Sequence, residues 1–273
     1  LAVLVSKDLA LRMTSAAVGI PILLFVFYMG GIYLLIALGL ISAIGIWEYR
    51  KILLNNGLVY TIVDIALVLA IYLLVAVPEW FNLSSAALLI ALPAIICARL
   101  IVWHICNKDK PGLRDYLLTI FGWIYTGILV GLIYRLGIEY SHQKVLVLLL
   151  VLIWITDSAA YFIGMRFGKN RGIFPVSPKK SLEGFIAGLV APCLIVIILY
   201  NLTGLWSLKL LLLIAVSAGL FGQMGDLLES KIKRTGGVKD SSNIIPGHGG
   251  VLDRFDSLLI AAPVLYALIN LFA

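Results

Sequence analysis

Near one end of the chain, the stretch PGHGGVLDRFDS (residues 246–257) gathers a histidine, three glycines, two aspartates and an arginine. Asp253 and Asp256 are three apart, so on a helix both face the same way. Two carboxylates on one turn suit a hard cation of the Mg²⁺ type, which prefers oxygen ligands. Arg254 is rotated off that face. Pro246 starts a turn, and Gly247, Gly249 and Gly250 open backbone conformations closed to other residues. Successive N–H groups in such a turn can form a concave anion site. The helix that follows would aim its N-terminus at the same place. His248 would contact a phosphate or serve as a structural donor, and its type and position leave both open.

Two further stretches carry the same kind of chemistry. In GQMGDLLESKIKRTGGVKD (residues 222–240), helical spacing places Asp226, Glu229, Ser230, Lys233 and Arg234 on one face. The acidic end comes first and the basic end one to two turns later. That order suits a cation held by carboxylates with phosphates bridging to lysine and arginine. The alternative is a solvated helix end with ordinary ion pairs. In WITDSAAYFIGMRFGKNRG (residues 154–172), Asp157 lies nine residues before Arg166, roughly 13 Å of helical rise, where an acid needs a partner or water. Beyond it, SPKKSLEG reads as a turn and a helix start. Lys179, Lys180 and Ser181 lie there, further from the preceding span, and the anchoring role that accounts for Arg166, Lys169 and Arg171 explains them less well.

The elements that must position these residues are apolar. The chain has 273 residues, 62% hydrophobic and 13% charged, with a mean hydropathy of +1.07. A water-soluble domain of this length would need far more polar surface. Apolar runs long enough to cross a hydrocarbon layer of about 30 Å recur throughout. The expectation is an all-α, polytopic integral membrane protein with about nine transmembrane helices, at residues 12–29, 30–47, 59–77, 84–103, 116–134, 145–165, 185–201, 208–225 and 257–272. About five fall in an N-terminal transmembrane region (1–144). About four fall in a C-terminal catalytic region (145–273), whose polar loops span 166–184 and 226–256. Cys97, Cys106 and Cys193 show neither metal spacing nor a disulfide framework.

With the N-terminus placed inside, seventeen lysines and arginines fall on inner segments. Only Arg135, Lys144 and Lys209 fall on outer ones, and Arg99 lies within the fourth span. The positive-inside rule therefore predicts a cytoplasmic N-terminus and an outer C-terminus. Both polar loops then face the cytoplasm, where soluble nucleotides are found. The net charge of +7, concentrated there, favours anionic lipid and anionic substrate. Small residues in GLISAIG (39–45) permit close helix packing, in a homodimer or in the monomer's own core.

The stretch SKIKRTGGVKDSSNIIPGHGGVLDRFD, from Ser230 to Asp256, resembles the signature of the phosphatidate cytidylyltransferases, the CDP-diacylglycerol synthases. Ser230, Lys233-Arg234, Lys239-Asp240, His248-Gly249-Gly250 and Asp253-Arg254-x-Asp256 fall at the family's spacing. The resemblance covers about residues 154–256. It implies a nucleotidyltransferase that condenses CTP with phosphatidic acid, giving CDP-diacylglycerol and pyrophosphate, with Mg²⁺; whether one metal ion or two stays open. It implies metal binding by Asp226, Asp253 and Asp256, and phosphate binding by Lys233, Arg234, Lys239 and Arg254. Lys179, Lys180 and Ser181 would meet CTP or the lipid headgroup. Glu229, Ser230, Asp240, His248, Gly249, Gly250 and Asp157 would complete the substrate site. Membrane lipid is the expected surroundings and nucleic acid is not an expected partner. A CDP-alcohol phosphotransferase would need Asp-x₃-Asp where this chain has Asp-x₂-Asp. A transporter would place its charges mid-membrane in repeated halves, and no repeat is found.

Overall fold

A backbone in hydrocarbon must satisfy its own hydrogen bonds, so long apolar runs fold as helices. The computed structural model describes residues 2–54, 57–82, 84–106 and 112–272, and nearly all of them are helical. In chain order the helices are α1 (Ala2–Met29), α2 (Gly31–Leu53), α3 (Leu58–Ala76), α4 (Ser85–Cys106), α5 (Leu113–Glu139), α6 (Val145–Phe167), α7 (Leu182–Thr203), α8 (Leu208–Thr235) and α9 (Leu252–Phe272). Seven of them, α2, α3 and α5 to α9, are long and apolar enough to cross a membrane. In α1 and α4 the apolar stretch is shorter, Met13–Met29 and Ile90–Ile105. All nine expected spans therefore fall on helices, but spanning length and hydropathy together are reached in seven. Lys108 and Lys110, assigned to an inner segment, lie outside the described residues.

The core is a single apolar cluster running through the bundle, with Leu38, Ile71, Leu136, Leu149, Leu211, Ile214 and Leu265 all fully buried. Small residues bring the helices together. Gly122, Gly127 and Gly131 of α5 lie against Tyr49 of α2 and Ile71 and Val75 of α3. In the stretch 39–45, Ser42 is buried and donates to the Thr126 carbonyl at 2.5 Å, and Gly45 packs against Leu252 and Thr126. That small-residue face is used inside the monomer.

Two helices contain a π turn, at Ile124–Ile128 in α5 and Ser217–Gly222 in α8. A π turn widens the helix and releases carbonyls from the regular ladder. Here side chains take up that hydrogen bonding. Gln223 Nε2 donates to the Gly219 carbonyl at 2.6 Å and to the Phe185 carbonyl of α7 at 3.1 Å. Just beyond, Gly225 lets α8 touch α9: a Cβ there would lie 2.5 Å from the Asp256 carbonyl oxygen. This close approach puts Asp226 beside Asp256.

In the N-terminal half, Asp64 of α3 is wholly buried and pairs with Arg50 of α2 and, at 3.2 Å, with Arg99 of α4. An isolated charge in that position would be strongly unfavourable, so the three travel as a unit. The Arg99 expected within the fourth span thus has its partner on α3.

Gly225→Ala should force α8 and α9 apart and lower stability by about 1–3 kcal/mol. Gly19→Ala, where an added Cβ meets nothing within 4 Å, should be neutral or slightly stabilising. Thermal unfolding of both variants in one detergent checks the pair.

Candidate active site

Three elements bring chemistry to one end of the bundle: the C-terminal turns of α6, the loop 168–181 leading into α7, and the α8–loop–α9 segment. The loop 168–181 is held by its own polar groups. Arg171 donates to the carbonyls of Gly168 (3.3 Å) and Gly164 (2.9 Å), closing the end of α6. Ser181 caps α7 by accepting from Gly184 N at 3.1 Å. Glu183 accepts from the backbone (3.1 Å) and the side chain (2.8 Å) of Asn170. The helix start expected after SPKKS is present, and Ser181 itself is buried within it.

Lys180 reaches across from this loop and pairs with Asp226 of α8, which also accepts from Ser230 Oγ at 3.4 Å. Two turns beyond Asp226 on α8, Lys233 pairs with Glu229 and, at 2.6 Å, with Asp253 of α9. Asp253 has both oxygens engaged. Oδ1 faces Lys233, and Oδ2 accepts from Ser241 N (2.8 Å), Ser241 Oγ (2.9 Å) and Gly250 N (2.8 Å). Asp256 Oδ1 accepts from Ser257 N at 2.6 Å. Arg254 Nε donates to the His248 carbonyl at 3.0 Å, so the turn aims the guanidinium. Arg234 folds back onto the Val238 carbonyl at 2.9 Å and closes the end of α8, while Lys239 is exposed.

Two cavities result. One, of about 370 Å³, is lined by polar side chains: Asp157, Asp226, Lys233, Asp240, Asp253, Arg254, Asp256 and Ser257. The other, of about 490 Å³, is mostly apolar. It lies between α6 and α7, with Ala160, Tyr161, Met165 and Phe185 in its wall and Arg171, Lys179, Lys180 and Ser181 at one side. Asp157 and Asp226 line both. Arg234, Lys239, Glu229, Ser230, His248, Gly249 and Gly250 line neither. Among the described residues no group of three or more His, Cys, Asp or Glu side chains is placed to hold a metal ion together.

The glycine turn differs from the sequence expectation. Its N–H groups, with those starting α9, were expected to receive phosphate. Instead Gly250 N donates to Asp253, and Val251 N (2.9 Å) and Leu252 N (2.8 Å) donate to Glu48 of α2. The anion at this helix N-terminus is the protein's own. Gly247 and Gly249 do take left-handed conformations, φ 73° and 88°. The turn closes through Ile245 N to the Gly249 carbonyl at 2.9 Å.

Two residues at the site were not singled out from sequence. Glu48 is one; its only sequence signal is that it is the single acid of α2, directly after the apolar run 30–47. Tyr125, on the π turn of α5, is the other. It is buried, within electrostatic reach of Asp256, Glu229 and Asp226, and its hydroxyl has no hydrogen-bond partner among the described residues. Glu229 Oε1 and His248 Nδ1 are likewise buried without one. These three residues each keep a buried polar atom that the described residues do not satisfy.

The cytidylyltransferase family pattern matches residues 10–272. A phosphatidate cytidylyltransferase of Staphylococcus epidermidis is 31% identical over 265 residues, covering 94% of this chain and 98% of that relative. Those of Staphylococcus haemolyticus and Staphylococcus aureus are 33% and 32% identical over 265 residues, with the same coverage. The likeness extends through the N-terminal helices, where no motif was evident. With the acids and bases of its C-terminal segment gathered on one cavity and the family pattern running through almost its whole length, the chain belongs to the cytidylyltransferase family and is a nucleotidyltransferase.

Proposed function

We propose that the protein condenses CTP with phosphatidate, giving CDP-diacylglycerol and pyrophosphate, at the cytoplasmic face of the membrane. The observation that carries this reading is the meeting of two unlike cavities at Asp157 and Asp226. A transferase that joins a soluble nucleotide to a bilayer lipid needs one polar chamber and one apolar chamber with a common wall. The name carried by the relatives, phosphatidate cytidylyltransferase, supports the same pair of substrates. The polar cavity suits the CTP phosphates. The apolar one, between α6 and α7, suits phosphatidate with its headgroup toward Lys179 and Lys180.

In the reaction, an oxygen of the phosphatidate phosphate attacks the α-phosphorus of CTP. The bond from that phosphorus to the β-phosphate's bridging oxygen breaks, and pyrophosphate leaves with the electron pair. A phosphate monoester has a second pKa near about 6, so the attacking group is already largely a dianion at neutral pH. No general base is required. The task of the protein is to hold two polyanions together in line, which positioned charges accomplish. Arg254, aimed by the His248 carbonyl, faces the polar cavity; Lys179 and Lys180 face the apolar one. Lys233, between Glu229 and Asp253, shapes the base, and Lys239 adds to the attraction of the mouth for anions.

Asp226 and Asp256, which both line the polar cavity, would suit a Mg²⁺ ion as a pair of carboxylates. This ion commonly takes one or two carboxylates and completes its shell with water and substrate phosphate, so a closed cage of protein ligands is not needed. When bound it would neutralise phosphate charge. Asp253, expected as a third ligand, has all its hydrogen bonding directed to Lys233, Ser241 and Gly250. We give it the task of organising the loop.

The reading places nine spans in the membrane, α1 and α4 included, with the N-terminus inside and the C-terminus outside. The distribution of lysine and arginine supports that orientation.

Three measurements test these statements. The purified protein in detergent should convert labelled CTP into CDP-lipid only when phosphatidate is present; Asp256→Asn should lower kcat by about 100-fold or more, and EDTA should abolish turnover until Mg²⁺ is restored. Lys179→Ala should raise KM for phosphatidate roughly tenfold, the loss of one charge-assisted contact, and leave KM for CTP unchanged. For orientation, with Cys97, Cys106 and Cys193 replaced by alanine, a membrane-impermeant maleimide on intact cells should label Ser207→Cys and not Lys239→Cys.

A further inference from the structure

We propose that Glu48, from the N-terminal half of the chain, is a positioning residue for the reaction: through Ser241 and the backbone of residues 250–252 it sets Asp253, and with it Lys233, in the wall of the polar cavity. The inference rests on the reaction proposed above for its kinetic readout, but not for its structural one.

Glu48 is fully buried near the end of α2. Four donors converge on its carboxylate: Ser242 Oγ at 2.5 Å, Ser241 Oγ at 3.1 Å, Val251 N at 2.9 Å and Leu252 N at 2.8 Å. All four come from residues about two hundred positions away in sequence. Two are orphan N–H groups at the start of α9, which a helix cannot satisfy by itself. A carboxylate there gains both hydrogen bonds and the favourable end of the helix dipole.

Ser241 forms the link to the site. Its hydroxyl lies between two carboxylates, 3.1 Å from Glu48 Oε2 and 2.9 Å from Asp253 Oδ2, while its backbone N–H also goes to Asp253 at 2.8 Å. A hydroxyl has one proton to give, so Ser241 is held where either acid can take it. Asp253 Oδ1 then meets Lys233 at 2.6 Å. The same packing accounts for the paired glycines of the turn. A Cβ at Gly250 would collide with Ser241 Oγ and Glu48 Oε1, and one at Gly249 would lie 2.6 Å from Asp253 Oδ2. These glycines make room for the protein's own carboxylates.

The end of α2 is itself fixed. Arg50, two residues after Glu48, is tied to Asp64, and Ile52 packs on the backbone at Gly236 after α8. Glu48 is therefore presented from a rigid helix end.

Glu48→Gln preserves the shape but turns an NH₂ group toward donors, and gives the test. In detergent-solubilised protein, hydrogen exchange should become faster at the Val251 and Leu252 amides. It should also become faster at the Ser241 amide, which bonds Asp253 and not Glu48, while amides in the middle of α9 stay protected. The kcat should fall by about 10–100-fold, as for other residues that orient the groups doing chemistry. Ser241→Ala combined with Glu48→Gln should lower kcat no further than the worse single variant. Unchanged Ser241 exchange in folded Glu48→Gln, wild-type kcat, or single effects that multiply in the double variant would each overturn the proposal. If Glu48→Gln does not fold, Ser242→Ala, which removes one donor to Glu48, replaces it: faster Ser241 exchange supports the inference and unchanged exchange refutes it. A wild-type protein that makes no CDP-lipid would sink the reaction reading, and the exchange data would still decide for or against Glu48.

Discussion

The start of α9 is closed by a carboxylate from the other half of the chain, and much of the molecule is arranged around that contact. A helix N-terminus presents donors that need acceptors, and in a protein this apolar few acceptors are near. Glu48 supplies two of the bonds and Asp253 a third, at Gly250 N. To reach there, α2 must lie against α9, and the lack of a side chain at Gly45 leaves room for Leu252 of α9. The turn before α9 must pass beside both carboxylates, which requires glycine. The N-terminal helices are thus joined to the chemical end of the molecule by hydrogen bonds as well as by apolar packing.

Charge is handled by pairing across helices. Lys180 ties the loop before α7 to α8 through Asp226, Lys233 ties α8 to α9 through Asp253, and Asp64 ties α3 to α2 and α4 through two arginines. Removing either partner of the two buried pairs, Arg50 with Asp64 or Lys233 with Asp253, would leave a charge in surroundings that solvate it poorly. Around the polar cavity the pairing is incomplete. Carboxylates outnumber cations in its wall, and Tyr125, Glu229 and His248 each keep a buried atom without a hydrogen bond. The excess of carboxylates distinguishes the cavity wall from the structural pairs elsewhere, where cations match or exceed the acids.

The π turns serve the same end. In α8 the widened turn at Ser217–Gly222 comes directly before the polar face that begins at Gln223. It alters the helix phase, so that the face bearing Asp226, Glu229 and Lys233 turns toward α9. In α5 the corresponding turn carries the buried Tyr125.

The helical class, the position of nearly every helix and the acids and bases of the segment 226–256 were legible in the sequence, because hydrophobic runs and short motifs are local properties of a chain. Asp226 and Asp256 were both visible as acids; that they share a wall with Asp157 depends on Gly225 allowing α8 to touch α9. The turn 246–250 was legible as a turn, but not its partner. Its N–H groups could serve substrate or protein equally well by type, and only the approach of α2 decided that Glu48 and Asp253 take them. Glu48 itself carries little local signal, being a single acid in an apolar helix. What the sequence by itself determined is therefore the set of helices and the chemical groups they carry. Which carboxylates face the cavity and which are spent holding the backbone was decided by tertiary contacts, since hydrogen bonds between residues two hundred positions apart leave no periodicity or spacing to read.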